Sequence, residues 1–159
     1  MTGHRAILPS SLLLVVALAG CKHEYVGANG EKVTVDSAGK NVTVTTSDGK
    51  VAYAAGGGVS LPAGFPADVP IYPGANITAA VSAGNAGSQG RAVTFETGDS
   101  PRKVADFYKD KLSGWERAAE MTSGAAATLV LRAPDKKRTV TVVATPAGGR
   151  TYVTLTVGG

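Results

Sequence analysis

Three short units near the start of the chain alternate β-branched and polar residues, and this alternation constrains the fold more than any other feature. Residues 29–35, 38–44 and 47–53 read NGEKVTV, AGKNVTV and SDGKVAY. Alternation with period two is typical of a strand with one apolar face, and Asn-Gly and Asp-Gly favour tight hairpin turns. We therefore predict three short strands, at residues 32–36, 41–46 and 50–54. Their apolar face is almost entirely valine, so the segment is either a small β-meander that packs on something else or a semi-flexible stalk.

The segment that follows indicates an extended strap and then a sheet. Residues 56–58 are three glycines and predict a hinge. Residues 61–75 read LPAGFPADVPIYPGA, and their four prolines exclude a helix and favour an extended course over a core. Further β runs are predicted at residues 76–81, 91–97, 127–132, 139–145 and 152–157.

One helix is predicted between the second and third of these runs. Ser100 is a suitable N-cap, and Pro101 is tolerated at the first helical position. Apolar side chains follow at helical spacing, namely Val104, Phe107, Tyr108 and Leu112. Gly114 is expected to end the helix, and Trp115 to begin the next strand. The predicted fold is α+β, with one helix packed on an antiparallel sheet (ββαβββ), preceded by a small β-meander and a Pro-rich strap.

The first 20 residues have the composition of a secretory signal peptide. A short basic start precedes an apolar run at residues 6–18, and small residues precede Cys21. The run is shorter than the roughly 20 residues that span a bilayer. Cys21 is the only cysteine, which leaves no intramolecular disulfide partner.

The tetrapeptide from Leu18 to Cys21, LAGC, resembles the lipobox of bacterial lipoproteins. The resemblance implies that residues 1–20 are removed and that Cys21 is diacylated on sulfur, with acyl chains as the link to the membrane. Lys22 stands where an Asp would favour inner-membrane retention in a Gram-negative cell. The expected location is therefore the bacterial envelope, at the outer membrane, with the side that the protein faces left open. The chain divides into a leader (1–20), an anchor with meander or stalk (21–60) and an α+β domain (61–159).

A second resemblance covers about 97 of the 159 residues. The motif FPADVP at residues 65–70 is followed by YPGA at 72–75, by Phe107-Tyr108 and by Gly114-Trp115. Together these resemble a module of uncharacterised bacterial lipoproteins, in which an FPxDVPxYPGA strap precedes two strands, a helix with a Phe-Tyr pair and a Gly-Trp. The resemblance implies a similar fold but no known activity.

Charge and composition argue against several classes of function. The chain has 16 Lys+Arg and 12 Asp+Glu, and loss of Arg5 with the leader leaves 15 against 12. This balance is too weakly basic to indicate a nucleic-acid partner. The cluster at residues 136–138 is interpreted as a charged turn between strands.

No catalytic or metal-ligand set stands out. His4 leaves with the leader, so His23, beside the anchor, is the only remaining histidine. The domain therefore lacks the base of a Ser-His-Asp or Cys-His arrangement, and it lacks the His and Cys ligands of a zinc site. Spacing selects no carboxylate pair among Asp68, Glu96, Asp99, Asp106, Asp110, Glu116 and Glu120. We expect no enzyme activity, no metal and no cofactor.

Two functions remain open. The first is a lipid-anchored, non-catalytic interaction or adaptor module with a protein partner in the envelope. The alternative is a carrier of a small ligand or lipid, with a pocket between helix and sheet near Phe107 and Trp115. An aromatic cluster beside a helix is also typical of an ordinary core.

Overall fold

A computed structural model describes residues 22–27, 30–36, 40–56, 58–85 and 88–159. The predicted leader and Cys21 lie outside the described residues. The described elements are β1 (Lys22–Val26), β2 (Lys32–Asp36), β3 (Asn41–Thr46), β4 (Gly49–Ala55), β5 (Asn76–Gly84), β6 (Gln89–Thr97), α1 (Pro101–Lys111), β7 (Glu116–Ser123), β8 (Ala126–Arg132), β9 (Thr139–Ala147) and β10 (Arg150–Gly158).

The strands form one 10-stranded sheet in the order β1-β2-β3-β4-β5-β6-β10-β9-β8-β7. Each neighbouring pair is antiparallel, including the pairs β4 with β5 and β6 with β10, which no short hairpin joins. The valine strands are joined to the rest through β4 and β5, which pair from Lys50↔Gly84 to Ala55↔Ala79. The sheet therefore crosses the boundary predicted at residue 60.

The predicted ββαβββ fold with a separate meander is wrong. The meander extends the sheet of the helix-bearing part, because the open edge of β5 needs hydrogen-bond partners and β4 supplies them. The sheet also gains β1, and the strand expected to begin at Trp115 is present as β7, which the predicted ββαβββ order did not count. All eight residues of β7 are exposed, so this strand has no buried face to impose an alternating pattern.

The helix begins where the sequence predicts. Ser100 accepts a hydrogen bond from the backbone amide of Lys103, and Pro101 occupies the first turn. The helix packs on β8 and β9 with Val104 and Tyr108 buried. In the part of the chain that the structure describes, no helix is long and apolar enough to cross a membrane.

The core lies between one face of the sheet and the layer formed by α1 and the strap. Alternate residues of β10 are buried, and the same face of β6, β8 and β9 supplies most of the remaining core. Val69 and Tyr72 of the strap are 3% and 5% exposed, as expected if the strap closes one end of the core. The largest fully buried side chains include Tyr108, Phe95, Leu129, Leu131 and Leu155.

Candidate functional site

A cleft of ≈ 500 Å³ lies between the start of the strap and strands β3, β4 and β5. Residues 58–63 form one wall. Ala80 of β5 contributes to the floor and is the register partner of Val93, which belongs to the core. The cleft is therefore on the same face of the sheet as α1, which covers that face at β8 and β9.

Small side chains create the space in this cleft. The floor pairs Thr43 with Ala52, Ala52 with Ser82, and Ala54 with Ala80 across three strands. Side chains of this size do not reach across to the strap. The floor therefore presents only methyl and hydroxyl groups at its centre. Val59, Leu61 and Pro62 face these groups from the side of the strap.

Two lysines give the cleft its charge. Lys40 and Lys50 line it together with Asn41, and the described lining residues include no Asp, Glu or His. Asp36 holds the turn at this end, accepting hydrogen bonds from the Lys40 amide (2.7 Å) and from the Asn41 side chain. An apolar floor beside two ammonium groups suits a small molecule with an apolar body and an anionic head.

The strap that walls the cleft is held by specific contacts. Arg91 of β6 donates a hydrogen bond from Nε to the carbonyl of Ala63 (3.1 Å). Gly64 has φ +70°, and a Cβ at this position would approach Arg91 Nη2 to 2.8 Å. A residue with a side chain would thus be strained both in its backbone and against the arginine that fixes the strap.

The region around Phe107 and Trp115, where the carrier hypothesis predicts a pocket, is occupied by side chains. The Phe107 ring meets Tyr72 and Tyr108 edge-on, with centroid distances of 5.0 and 5.1 Å. Trp115 packs against the core and carries the Arg138 guanidinium 5.5 Å from its ring centroid. Both aromatic residues are therefore part of the packing.

A smaller cleft of ≈ 190 Å³ does lie between α1 and strands β7 and β8. It contains Lys109, whose Nζ is 2.7 Å from Asp106 and 2.9 Å from Glu120. The hydrogen bonds from Lys109 lower the pKa of both carboxyl groups, and the hydrogen bonds to Asp106 and Glu120 raise the pKa of the lysine. All three groups are thus charged near neutral pH, which suits an ion bridge between helix and strand and does not suit a general acid.

Four of the other five carboxylates singled out in the sequence are also paired with cations. Asp99 binds Lys103 (2.7 Å), Glu96 binds Arg150 (3.3 Å), Glu116 binds Arg132 (3.4 Å) and Asp68 binds Arg138 (2.7 Å). Among the described residues, no cluster of three or more His, Cys, Asp or Glu could hold a metal ion. The carboxylates therefore form ion pairs dispersed over the surface.

The pair of Asp68 and Arg138 joins the strap to the turn between β8 and β9. Arg138 donates from Nη1 and Nη2 to the two carboxylate oxygens, at 2.8 and 2.7 Å. The sequence suggested only a charged turn at residues 136–138. The signal that could have found the pair is the aspartate in the FPADVP motif, which stands in an otherwise apolar strap.

Replacing Asp68 with asparagine is expected to lower the free energy of unfolding at pH 7 by about 0.5–1 kcal/mol, because the ion pair is bidentate but partly exposed. The bond from Arg138 holds the pKa of Asp68 below its usual value of 3.8. The stabilisation is therefore complete above that value and is lost as the pH falls through the lower pKa of the folded state. Urea unfolding of both proteins from neutral to acid pH should show the difference shrinking. A constant difference would contradict the role of the carboxylate charge.

Comparison with known proteins gives one match. A family model described as START domain-like matches residues 77–151. The match runs from β5 into the start of β10, and so includes β6, α1 and β7 to β9. No curated protein and no solved structure matches the chain. The match covers the helix-bearing part of the sheet and less than half of the chain.

Proposed function

We propose that this protein is a lipid-anchored, non-catalytic protein of the bacterial envelope that binds a small amphiphilic anion in the cleft under the strap. The resemblance of residues 18–21 to a lipobox supports the anchor. The START domain-like match at residues 77–151 is compatible with ligand binding, and the cleft, of which only Ala80 and Ser82 fall within the match, supplies a candidate site.

The observation that carries the proposal is the cleft itself. Its ≈ 500 Å³ lies within the range of about 300–1,000 Å³ that is usual for small-molecule sites. Ala52, Ala54 and Leu61 provide apolar contact for a short chain or ring, and Lys40 and Lys50 provide cations for a carboxylate, sulfonate or phosphate head. Because no His or carboxylate is among the described lining residues, we assign the cleft a role in binding and no acid-base chemistry.

Filling the cleft should abolish binding. Sodium decanoate, below its micelle concentration, is a suitable probe because it combines a short apolar chain with a carboxylate. We expect calorimetric titration to show one site in the wild type, no binding to Ala52→Phe, and about tenfold weaker binding to Lys50→Met. Thr154→Phe makes a similar enlargement at an exposed position of β10, and should bind the probe as the wild type does.

Two results would contradict the proposal. One is the absence of decanoate binding together with native mass spectra that show no ligand retained from the cell. The other is binding that Ala52→Phe and Thr154→Phe reduce equally, which would place the site elsewhere.

The second candidate is an interaction module, and strand β7 favours it. This strand forms one edge of the sheet and is exposed along its whole length, with Met121 65% exposed. An exposed edge strand can pair with a strand of another protein. An empty cleft, together with a single partner crosslinked at β7 in intact envelopes, would favour this candidate over ligand binding.

A further inference from the structure

Strands β1 to β5 have a largely apolar face on the side away from the cleft, and its polar member in β1 is His23, the register partner of Val35. Strand register places Val33, Val44 and Val51 in one row across this face and Val35, Val42 and Tyr53 in the next. The neighbouring side chains of each strand point to the opposite side, where Thr43 and Ala52 form part of the cleft floor. This half of the sheet is therefore amphipathic, and we call its valine side the valine face.

Large apolar side chains of the valine face are open to solvent. Tyr25 is 46% exposed, and Val51 and Tyr53 are each 45% exposed. The charged residues Glu24, Lys32 and Lys50 lie on the other side, in register with Thr34 and Thr45. Among the described elements, the one helix packs on β8 and β9, at the far end of the sheet from this face. An apolar sheet face normally packs against another layer.

The position of the proposed anchor indicates what covers the valine face. Strand β1 is the edge strand of this half of the sheet, and it begins at Lys22, the residue directly after Cys21. At about 3.4 Å per residue, Tyr25 is within roughly 14 Å of the acylated cysteine. The valine face therefore begins beside the membrane with no spacer.

We infer that the valine face lies against the lipid bilayer, an inference that rests on the proposed acylation of Cys21. Valines contact the acyl region, and Tyr25 and Tyr53 place their rings at the headgroup level, where aromatic side chains with a polar end are favoured. The cleft, on the opposite side of the same strands, then opens away from the membrane. The acyl anchor and the valine face together fix the orientation of the protein, which the anchor alone does not.

The test uses the lipidated protein in vesicles of phosphatidylethanolamine and phosphatidylglycerol. Because acylation consumes the thiol of Cys21, an engineered cysteine is the only free thiol and can carry an environment-sensitive fluorophore. Val51→Cys places the label on the valine face, and Thr45→Cys places it on the other side of the adjacent strand, also at an exposed position. Tyr53→Cys repeats the first measurement at a second site, and circular dichroism checks that each variant is folded.

We expect blue-shifted emission and quenching by nitroxide-labelled lipid at residues 51 and 53, and quenching by aqueous iodide at residue 45. Quenching by iodide at all three positions would overturn the inference. Protection from both quenchers at 51 and 53 would also overturn it, because a second protein copy would then cover the face. Mass spectrometry of the N-terminal peptide separates the two proposals. An unmodified Cys21 would contradict both the proposed anchor and this inference. An acylated Cys21 with iodide-quenched labels at residues 51 and 53 would contradict the inference alone.

Discussion

Replacing Phe95 with alanine is expected to lower the free energy of unfolding by about 3–5 kcal/mol, the usual range for a large aromatic side chain removed from a core. Phe95 is fully buried in β6, its register partner in β10 is Val153, and its ring stacks near Tyr72 of the strap at a centroid distance of 6.3 Å. The sheet on one side and the proline-rich strap on the other resist collapse into the space. Urea denaturation followed by circular dichroism measures the loss.

Tyr152 supplies a matched control. It lies on β10, next to Val153 and on the opposite face of the sheet, and is 44% exposed. Tyr152→Ala removes a similar aromatic ring but creates no cavity, so we expect a loss below about 1 kcal/mol. Equal destabilisation by the two substitutions would mean that the sheet is covered on both faces, contrary to the structure.

Local patterns in the sequence located most of the individual elements. The alternating valines predicted residues 32–36 and 41–46, which agree with β2 and β3, and the Ser-Pro pair marked the start of α1. In these segments the burial or capping of each residue depends on neighbours close in the chain. The signal is therefore contained within a short window of sequence.

The arrangement of these elements could not be read in the same way. Pairing of β4 with β5 depends on which edge of the sheet is open after folding. The 20 residues between Ala55 and Asn76 contain no sequence pattern that indicates this pairing. A strand was expected to begin at Trp115, and β7 begins at Glu116, but its extent could not be predicted because no residue of it is buried. Because the pairing of β4 with β5 gave no signal in the sequence, residues 21–60 were interpreted as either a small meander or a stalk.

The candidate cleft was invisible for a related reason. Its floor combines Ala52 and Ala54, assigned to the stalk, with Ala80, assigned to the domain. Small residues in a strand do not by themselves indicate a cleft. They leave one only where the segment that faces them lies too far away to fill the space. The aromatic residues Phe107 and Trp115 suggested a pocket, but large rings fill space when they face each other, as Phe107 and Tyr72 do.

Replacing Cys21 with serine is expected to leave an uncleaved, unacylated precursor and to remove the protein from the outer-membrane fraction. The reason is the binding free energy that the acyl chains supply. Each CH₂ group buried in the membrane contributes on the order of 0.8 kcal/mol, so two or three chains hold a protein stably. Without covalent lipid, the valine face alone is expected to support only weak, reversible association. In the proposed arrangement the anchor decides the location, and the valine face decides the orientation.

Fractionation of envelopes, with mass spectrometry of the N-terminal peptide, measures this loss. Ser10→Ala, a change within the leader that spares the cysteine, should be processed and acylated as in the wild type. Washing membranes with sodium carbonate distinguishes the two kinds of attachment, because acylated protein resists extraction and protein held by the valine face alone is released. A Cys21→Ser protein that stays with the outer membrane in normal yield after this wash would show that the attachment does not depend on acylation.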